Sequence, residues 1–128
     1  MANISENFKF IIDSTTYTQL VHPDDGSTLS RLSEKVKGDG YYGRSDGFHS
    51  VQYNLSDFEG IISVQATLAT TPAESDWFYA PITEHDAINT IANQTGSFIY
   101  NFTGNYVWVR ISVSSWTAGN ILSCLINH

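Results

Sequence analysis

An all-β fold, a single antiparallel β-sandwich of jelly-roll type, is what this 128-residue sequence predicts, and three observations predict it. The first is the stretch Gly104 to Ser114. Side chains of a strand alternate between faces. One face of this stretch would carry Val107, Val109, Ile111 and Val113, the other Tyr106, Trp108, Arg110, Ser112 and Ser114. The second is a series of short β-prone runs bounded by Gly, Pro, Asp and Asn, which gives seven or eight strands at regular spacing. The third is how little helical periodicity there is: one or two short turns at most.

The elements follow in chain order. Phe8–Asp13 and Thr15–His22 read as the first two strands, with Asp13-Ser14 supplying turn chemistry between them. His22 to Ser27 is a loop. Leu29, Leu32 and Val36 fall at three- and four-residue spacing, so Thr28–Lys37 reads as a helical turn capped by Ser27 or Thr28, with a strand of irregular end as the other reading. Gly38 to Gly47 is glycine-rich and reads as a loop. Phe48–Leu55 and Ile61–Ala69 both alternate and read as a hairpin closed by Asp57-Phe58-Glu59-Gly60. The Thr70–Asp76 loop delivers Trp77, and His85–Asn93 has room for one helical turn. Ser97–Phe102 and Asn105–Ser114 read as a second hairpin around Thr103-Gly104. A turn at Trp116–Gly119 leads to a last strand, Asn120–Asn127.

Composition narrows the function. Length fits one domain. Hydrophobic residues are 41% and aromatics 13%, rich enough to pack a core, but charged residues are only 15%. A surface poor in charge suits a protein covered by neighbours. Net charge is −7 with six Lys and Arg, too few for the basic patch that nucleic-acid phosphates or an anionic membrane would need. No run of ~18 apolar residues is present to span a bilayer. Met1–Asn7 lacks the basic and apolar regions of a secretory signal, so cytoplasmic synthesis is expected. Cys124, the single cysteine, lies among apolar residues and reads as a buried inert thiol. The sequons at Asn3, Asn54, Asn93 and Asn101 are by-products of composition.

Chemistry is sparse. His22, His49, His85 and His128 are scattered and none stands at ligand spacing from another, so no metal or other cofactor is expected. Asp24-Asp25-Gly26 and Asp39-Gly40 lack the long alternating oxygen-ligand loop of a strong Ca²⁺ site and read as turns. Glu74 and Asp76 are a conceivable glycosidase pair, but acids on a Pro-containing loop are ordinarily just solvated. No nucleophile elbow, phosphate loop or dinucleotide fingerprint occurs, and no catalytic residue is assigned.

The aromatic residues are the remaining signal. Tyr41, Tyr42, Trp77, Tyr79, Tyr106, Trp108 and Trp116 do not all fit inside with the aliphatic rows, and Trp108 and Arg110 sit two apart on one strand. Three readings stay open for that face: anchors of a protein–protein interface, where Tyr, Trp and Arg are enriched; a sugar platform; or a second core face with Arg110 reaching out at its edge.

Three blocks carry a resemblance: Gly40–Tyr53, Gln65–Phe78 and Thr103–Arg110. They resemble small structural or hypothetical proteins of marine tailed phages, especially myoviruses and cyanophages, over most of Gly40–Val113. The order Ala66-Thr67-Leu68, Asp76-Trp77, then Gly104-Asn105-Tyr106 with Trp108 and Arg110, is similar to a β-sandwich pattern of virion proteins. The resemblance implies a non-enzymatic assembly protein in the virion (capsid decoration, neck or tail component), made in the host cytoplasm. It further implies other virion proteins as partners and a homo-oligomer, expected as a trimer. The interface would use Tyr41, Tyr42, Arg44, Trp77, Tyr106, Trp108 and Arg110. The alternative is a carbohydrate-binding module recognising host-surface glycans with the same loops.

Overall fold

The computed structural model describes residues 5–23, 25–43, 47–80 and 89–128. Ten strands run in the order β1 Ser5–Asn7, β2 Phe10–Ile12, β3 Thr15–Tyr17, β4 Leu20–Val21, β5 Leu29–Leu32, β6 Val36–Lys37, β7 Phe48–Thr67, β8 Phe78–Tyr79, β9 Asn89–Thr103 and β10 Trp108–Asn127. One 3₁₀ turn, Glu74–Asp76, is the helical element among the described residues. The all-β sandwich is observed, but its strands are organised differently from the predicted hairpins.

Three strands carry the fold. β7 lies between β10 and β9 and is antiparallel to both. The far edge of β10 is covered piecewise by β6, β5, β4 and β1, each antiparallel to it. β8 adds to β7, and β2 and β3 form a separate ribbon. That ribbon turns at Asp13 (φ 49°) and Ser14 (φ 66°), both left-handed as a tight hairpin turn requires.

The connectivity forces the sheet to curl. β9 ends with Thr103 beside Phe48, while β10 begins with Trp108 beside Thr67. The five Cα steps from Thr103 to Trp108 reach at most about 19 Å. A flat strand from Phe48 to Thr67 would separate those points by about 63 Å. The two ends of β7 are therefore folded back toward each other.

The bend lies in one transverse band. Ladder register shifts between Leu55 and Phe58 on β7, and between Ser114 and Ala118 and again before Asn120 on β10. Asp57 (φ 52°), Gly96 (φ 134°), Ser115 (φ 48°) and Gly119 (φ 83°) supply the left-handed residues there. A Cβ on Gly119 would lie 2.0 Å from the Asp57 carbonyl oxygen, so the two strands meet where only glycine fits. What reads as a hairpin at Asp57–Gly60 is this corner, where each strand passes from one half of the sandwich to the other. The same holds for the turn predicted at Trp116–Gly119, so Asn120–Asn127 continues β10 rather than forming a new strand.

The remaining corrections concern local elements. Thr28–Lys37 is extended, not helical. Leu29 and Arg31 pair with Trp116 and Val113, and Val36 pairs with Val109. Ser33 bridges the gap: its N–H donates to Ile111 O (2.9 Å) while its hydroxyl accepts from Ile111 N–H (2.8 Å). Thr103-Gly104 does not close a hairpin, because β9 and β10 flank β7 instead of pairing together. Of the turn predicted at His85–Asn93, residues 85–88 lie outside the described residues and Asn89 onward is strand.

The predicted valine row holds from Val109 onward, whereas Val107 precedes β10 and is half-buried. Val109, Ile111 and Val113 are buried with Ile62, Val64 and Ala66 of β7 beside them. Across the corner, Val51, Tyr53, Leu55, Cys124 and Ile126 complete the core, joined by Phe8, Phe10, Phe102 and Trp116. Each such side chain contributes ~1.5–3 kcal/mol on leaving water. No helix among the described residues is long and apolar enough to cross a membrane.

Candidate functional site

The second half of the sandwich carries a groove about 560 Å³ in volume, between the β5–β10–β7 outer surface and the loop before β8. Arg110 is its organising residue, with only 8% exposure. Its Nε donates to Gln65 Oε1 on the paired residue of β7 (2.8 Å). Its two terminal nitrogens donate to the two Glu74 oxygens at 3.2 and 3.1 Å, a forked contact that fixes the guanidinium plane. That plane lies 4.2 Å from the centre of the Trp77 ring.

The loop is held at both ends by the row predicted as an interface. Trp108 Nε1 donates to Thr70 O (2.9 Å) at the loop's start, and Arg110 grips Glu74 and Trp77 at its end. Asp76 Oδ2 accepts the Ala73 amide (2.8 Å), closing the 3₁₀ turn between. Glu74, though 78% exposed, is held below the usual carboxylate range, first by hydrogen bonds from Arg110 and then by its charge. An acid kept ionised in this way is a poor general acid.

The interface residues are thus only partly together. Tyr41 lies 5.2 Å from Trp108 and edge-on to Tyr42, and Lys37 and Lys35 sit over the Tyr41 and Trp108 rings. Tyr41 and Tyr42 are exposed. Tyr106 is separated from this group because β10 starts only at Trp108. It packs against Phe78, Phe102 and His49, and burial pushes its hydroxyl above the ordinary tyrosine value. Arg44 lies outside the described residues.

The opposite half of the sandwich has an outer face of another kind. Phe48, Ser50, Gln52 and Asn54 of β7 line up with Ser97, Ile99, Asn101 and Thr103 of β9 and with Ser123, Leu125 and Asn127 of β10. Ser5 of β1 extends the row past Asn127. None of the side chains in this patch is charged. Lateral hydrogen bonds tie them together: Ser50 to Asn101 (2.6 Å), Asn54 to Ser123 (2.7 Å) and Ser97 to Asn54 (2.6 Å). Phe48 and Ile99 stand 66% and 61% exposed, and a shallow depression of about 230 Å³ lies between Ile99 and Leu125. Sequence reading had Phe48–Leu55 as an alternating strand; its pairing with Ser97–Thr103 rather than Ile61–Ala69 is what creates the face.

Sequence spacing also missed a buried cluster. Asp39, His49 and His128, far apart in sequence, are all buried and place one ligating atom each within 4.8 Å of the others. His22 is not with them; it packs edge-on to Trp116. Asp25 accepts the Ser27 amide (3.0 Å) as turn chemistry. Burial pushes the Cys124 thiol up to about 12, consistent with an inert core residue.

No family model and no curated protein matches the chain. Solved structures do. The SPBc2 prophage-derived protein YomS is similar over 100% of this chain and 96% of its own, at 13% identity and TM-score 0.50. The K1 cleaved adhesin domain of Lys-gingipain from Porphyromonas gingivalis W83 is similar over 98% of both chains, at 11% identity and TM-score 0.53. A family 29 carbohydrate-binding module from Piromyces equi is also similar, over 96% of this chain and 79% of its own, at 14% identity and TM-score 0.46. At these identities the likeness is one of fold: an all-β sandwich spanning the whole chain, found in a prophage-derived protein and in an adhesin domain.

Proposed function

We propose that the protein is a non-enzymatic structural component of a phage particle, working by protein–protein contact, and that its uncharged sheet face receives a second copy. The observation that carries this is the absence of charge from that face in a chain of net charge −7. Like-charged copies repel, and an uncharged face is where two can approach with least electrostatic cost. Interface centres are depleted of charge in the same way. Ser, Asn and Gln each donate and accept, so such a face is complementary to itself. Likeness in fold to a prophage-derived protein, over all of this chain and 96% of that one, supports a phage setting.

Self-docking of one face on itself gives a two-fold pair, whereas the trimer expected from the sequence needs two different faces. Sedimentation velocity decides between them. The wild type should form a defined dimer, and Gln52→Lys, which sets a charge at the centre of the face, should weaken it at least tenfold with the fold intact. A wild type that stays monomeric at every concentration removes this reading.

A second reading rests on the groove. Serine hydroxyls, Gln65, Arg31 and an aromatic ring at Trp77 are the chemistry of a polar, ring-stacking ligand such as a glycan. Here Trp fluorescence should respond saturably to an oligosaccharide, and Trp77→Ala should abolish the response. Silence across a glycan panel removes it.

A further inference from the structure

We propose that Asp39, His49 and His128 form a buried centre for a divalent transition metal of the Zn²⁺ class. This inference is independent of both readings above. His49 supplies the main argument. Its Nδ1 lies 2.8 Å from Gly47 O, and only an N–H can bond a carbonyl, so Nδ1 carries the hydrogen. The lone pair is then on Nε2, which faces Asp39 (3.2 Å from its amide nitrogen). A histidine anchored to a backbone carbonyl through one nitrogen is held as metal-bound histidines are, and here the other nitrogen accepts the Asp39 backbone N–H, a bond that an ion would displace.

The other two donors complete the set. His128 Nδ1 lies 2.7 Å from Asp39 Oδ1, and the two imidazole rings are 5.4 Å apart. Ligands held ~2.0–2.2 Å from a tetrahedral ion stand about 3.3 Å from one another, and the three ligating atoms here already lie within 4.8 Å of one another. Two imidazoles and a carboxylate suit Zn²⁺, Co²⁺ or Ni²⁺ rather than Ca²⁺ or Mg²⁺. Coordination displaces, among others, the hydrogen bonds from Asp39 N–H to His49 and from His128 Nδ1–H to Asp39, and leaves a fourth position for water.

The backbone is arranged to deliver Asp39 to this spot. Gly38 N–H donates to Val107 O and Gly40 N–H to Tyr106 O, both at 2.9 Å. A Cβ on Gly38 would meet Tyr106 O at 2.4 Å and His49 Nε2 at 3.3 Å, so the approach requires glycine. The three ligands come from the loop after β6, the start of β7 and the residue after β10. An ion among them fastens the end at which the curled sheet closes. Rings of Phe102 and Tyr42 lie against His49 and His128 and shield the site.

The test uses the full chain, freed of metal with a chelator. Titration with Co²⁺ should give a single saturable equivalent with the strong visible absorption of tetrahedral, nitrogen-ligated cobalt, displaced by Zn²⁺. The melting temperature should rise with Zn²⁺. Asp39→Asn and His49→Gln should each lose the absorption and the temperature shift. A wild type that binds no ion, or shows only the weak absorption of octahedral surface-bound cobalt, overturns the proposal even where the variants fail to fold. Uptake that persists in folded variants overturns it equally.

Discussion

The two outer faces of the sandwich lie on either side of one corner of β7 and β10, yet they differ in kind. Beyond the corner, Arg110, Glu74, Gln65 and Trp77 build a groove in which Arg110 and Glu74 pair with each other. Before it, Ser, Asn, Gln, Ile and Phe build a nearly flat face without charge. A β-strand long enough to cross a corner is chemically two strands. The difference teaches that the aromatic–guanidinium row singled out in sequence also braces a loop, whereas the less conspicuous Phe48, Ser50, Gln52 and Asn54 join Ser97, Ile99, Asn101 and Thr103 in a second outer face.

The corner itself is the place to break the comparison. Gly119→Ala puts a Cβ into the Asp57 carbonyl at a left-handed φ, and should cost about 3 kcal/mol or more in urea unfolding. Both faces should suffer together, because the corner sets their relative position. A cost below ~1 kcal/mol would mean that the strands do not cross so closely. Next in size is Arg110→Ala. It leaves Gln65 and the Trp77 face without their partner and frees the loop, at an expected cost of about 2 kcal/mol. Ser50→Ala on the uncharged face should stay within ~0.5 kcal/mol. The assembly readout should invert this order: Arg110→Ala and Trp108→Ala leave the dimer intact, and Gln52→Lys dissociates it.

Each half also buries a hydroxyl that has no hydrogen-bond partner, Tyr53 Oη before the corner and Ser63 Oγ beyond it. Tyr53 is wholly inside, and desolvation pushes its phenol well above its ordinary value. An unpaired buried hydroxyl costs ~1–3 kcal/mol, so Tyr53→Phe should stabilise the protein by about 1 kcal/mol. Ser63→Ala should do the same by somewhat less. Ser63 stands opposite Ser112, a groove residue, and shares a face with Gln65. If the glycan reading holds, neither change touches the ligand, because Ser63 is buried and does not line the groove.

The fold class was legible because alternation is local. Val109, Ile111 and Val113 announce a buried row without reference to any other strand, and Asp13-Ser14 announces a turn. Pairing was not legible, because a short glycine-containing link at Asp57–Gly60 serves equally for a hairpin or a corner. Nothing within Phe48–Leu55 says whether its neighbour is Ile61–Ala69 or Ser97–Thr103. The helical spacing of Leu29, Leu32 and Val36 misled for a related reason: an irregular edge, broken at Ser33, also places apolar residues three and four apart. At the sites, Trp108 and Arg110 were correctly marked as unusual, but their partners Thr70, Gln65 and Glu74 come from other elements. Asp39, His49 and His128 are 10 and 79 positions apart in sequence, so only the closure of the sheet brings them within 4.8 Å.

The smallest expected effect tests whether the groove's charges stabilise the fold at all. The Arg110 contact depresses the Glu74 carboxyl in the folded state, while in the unfolded chain it titrates in the ordinary carboxylate range. The folded state therefore holds its proton less tightly. Its contribution is fully present above the unfolded value and is lost as pH falls through the folded one. Glu74 is solvent-exposed, so screening keeps the gain small. The melting temperature of Glu74→Gln should lie slightly below that of the wild type near neutrality. The two should converge below the ordinary carboxylate range, and raised salt should narrow the gap in the same way. A gap that persists in acid would assign the effect to packing of the loop on Trp77 instead of to charge. The uncharged face offers the control: Gln52→Asn should shift the melting curve by an amount that does not change across the same pH range, since no group there titrates.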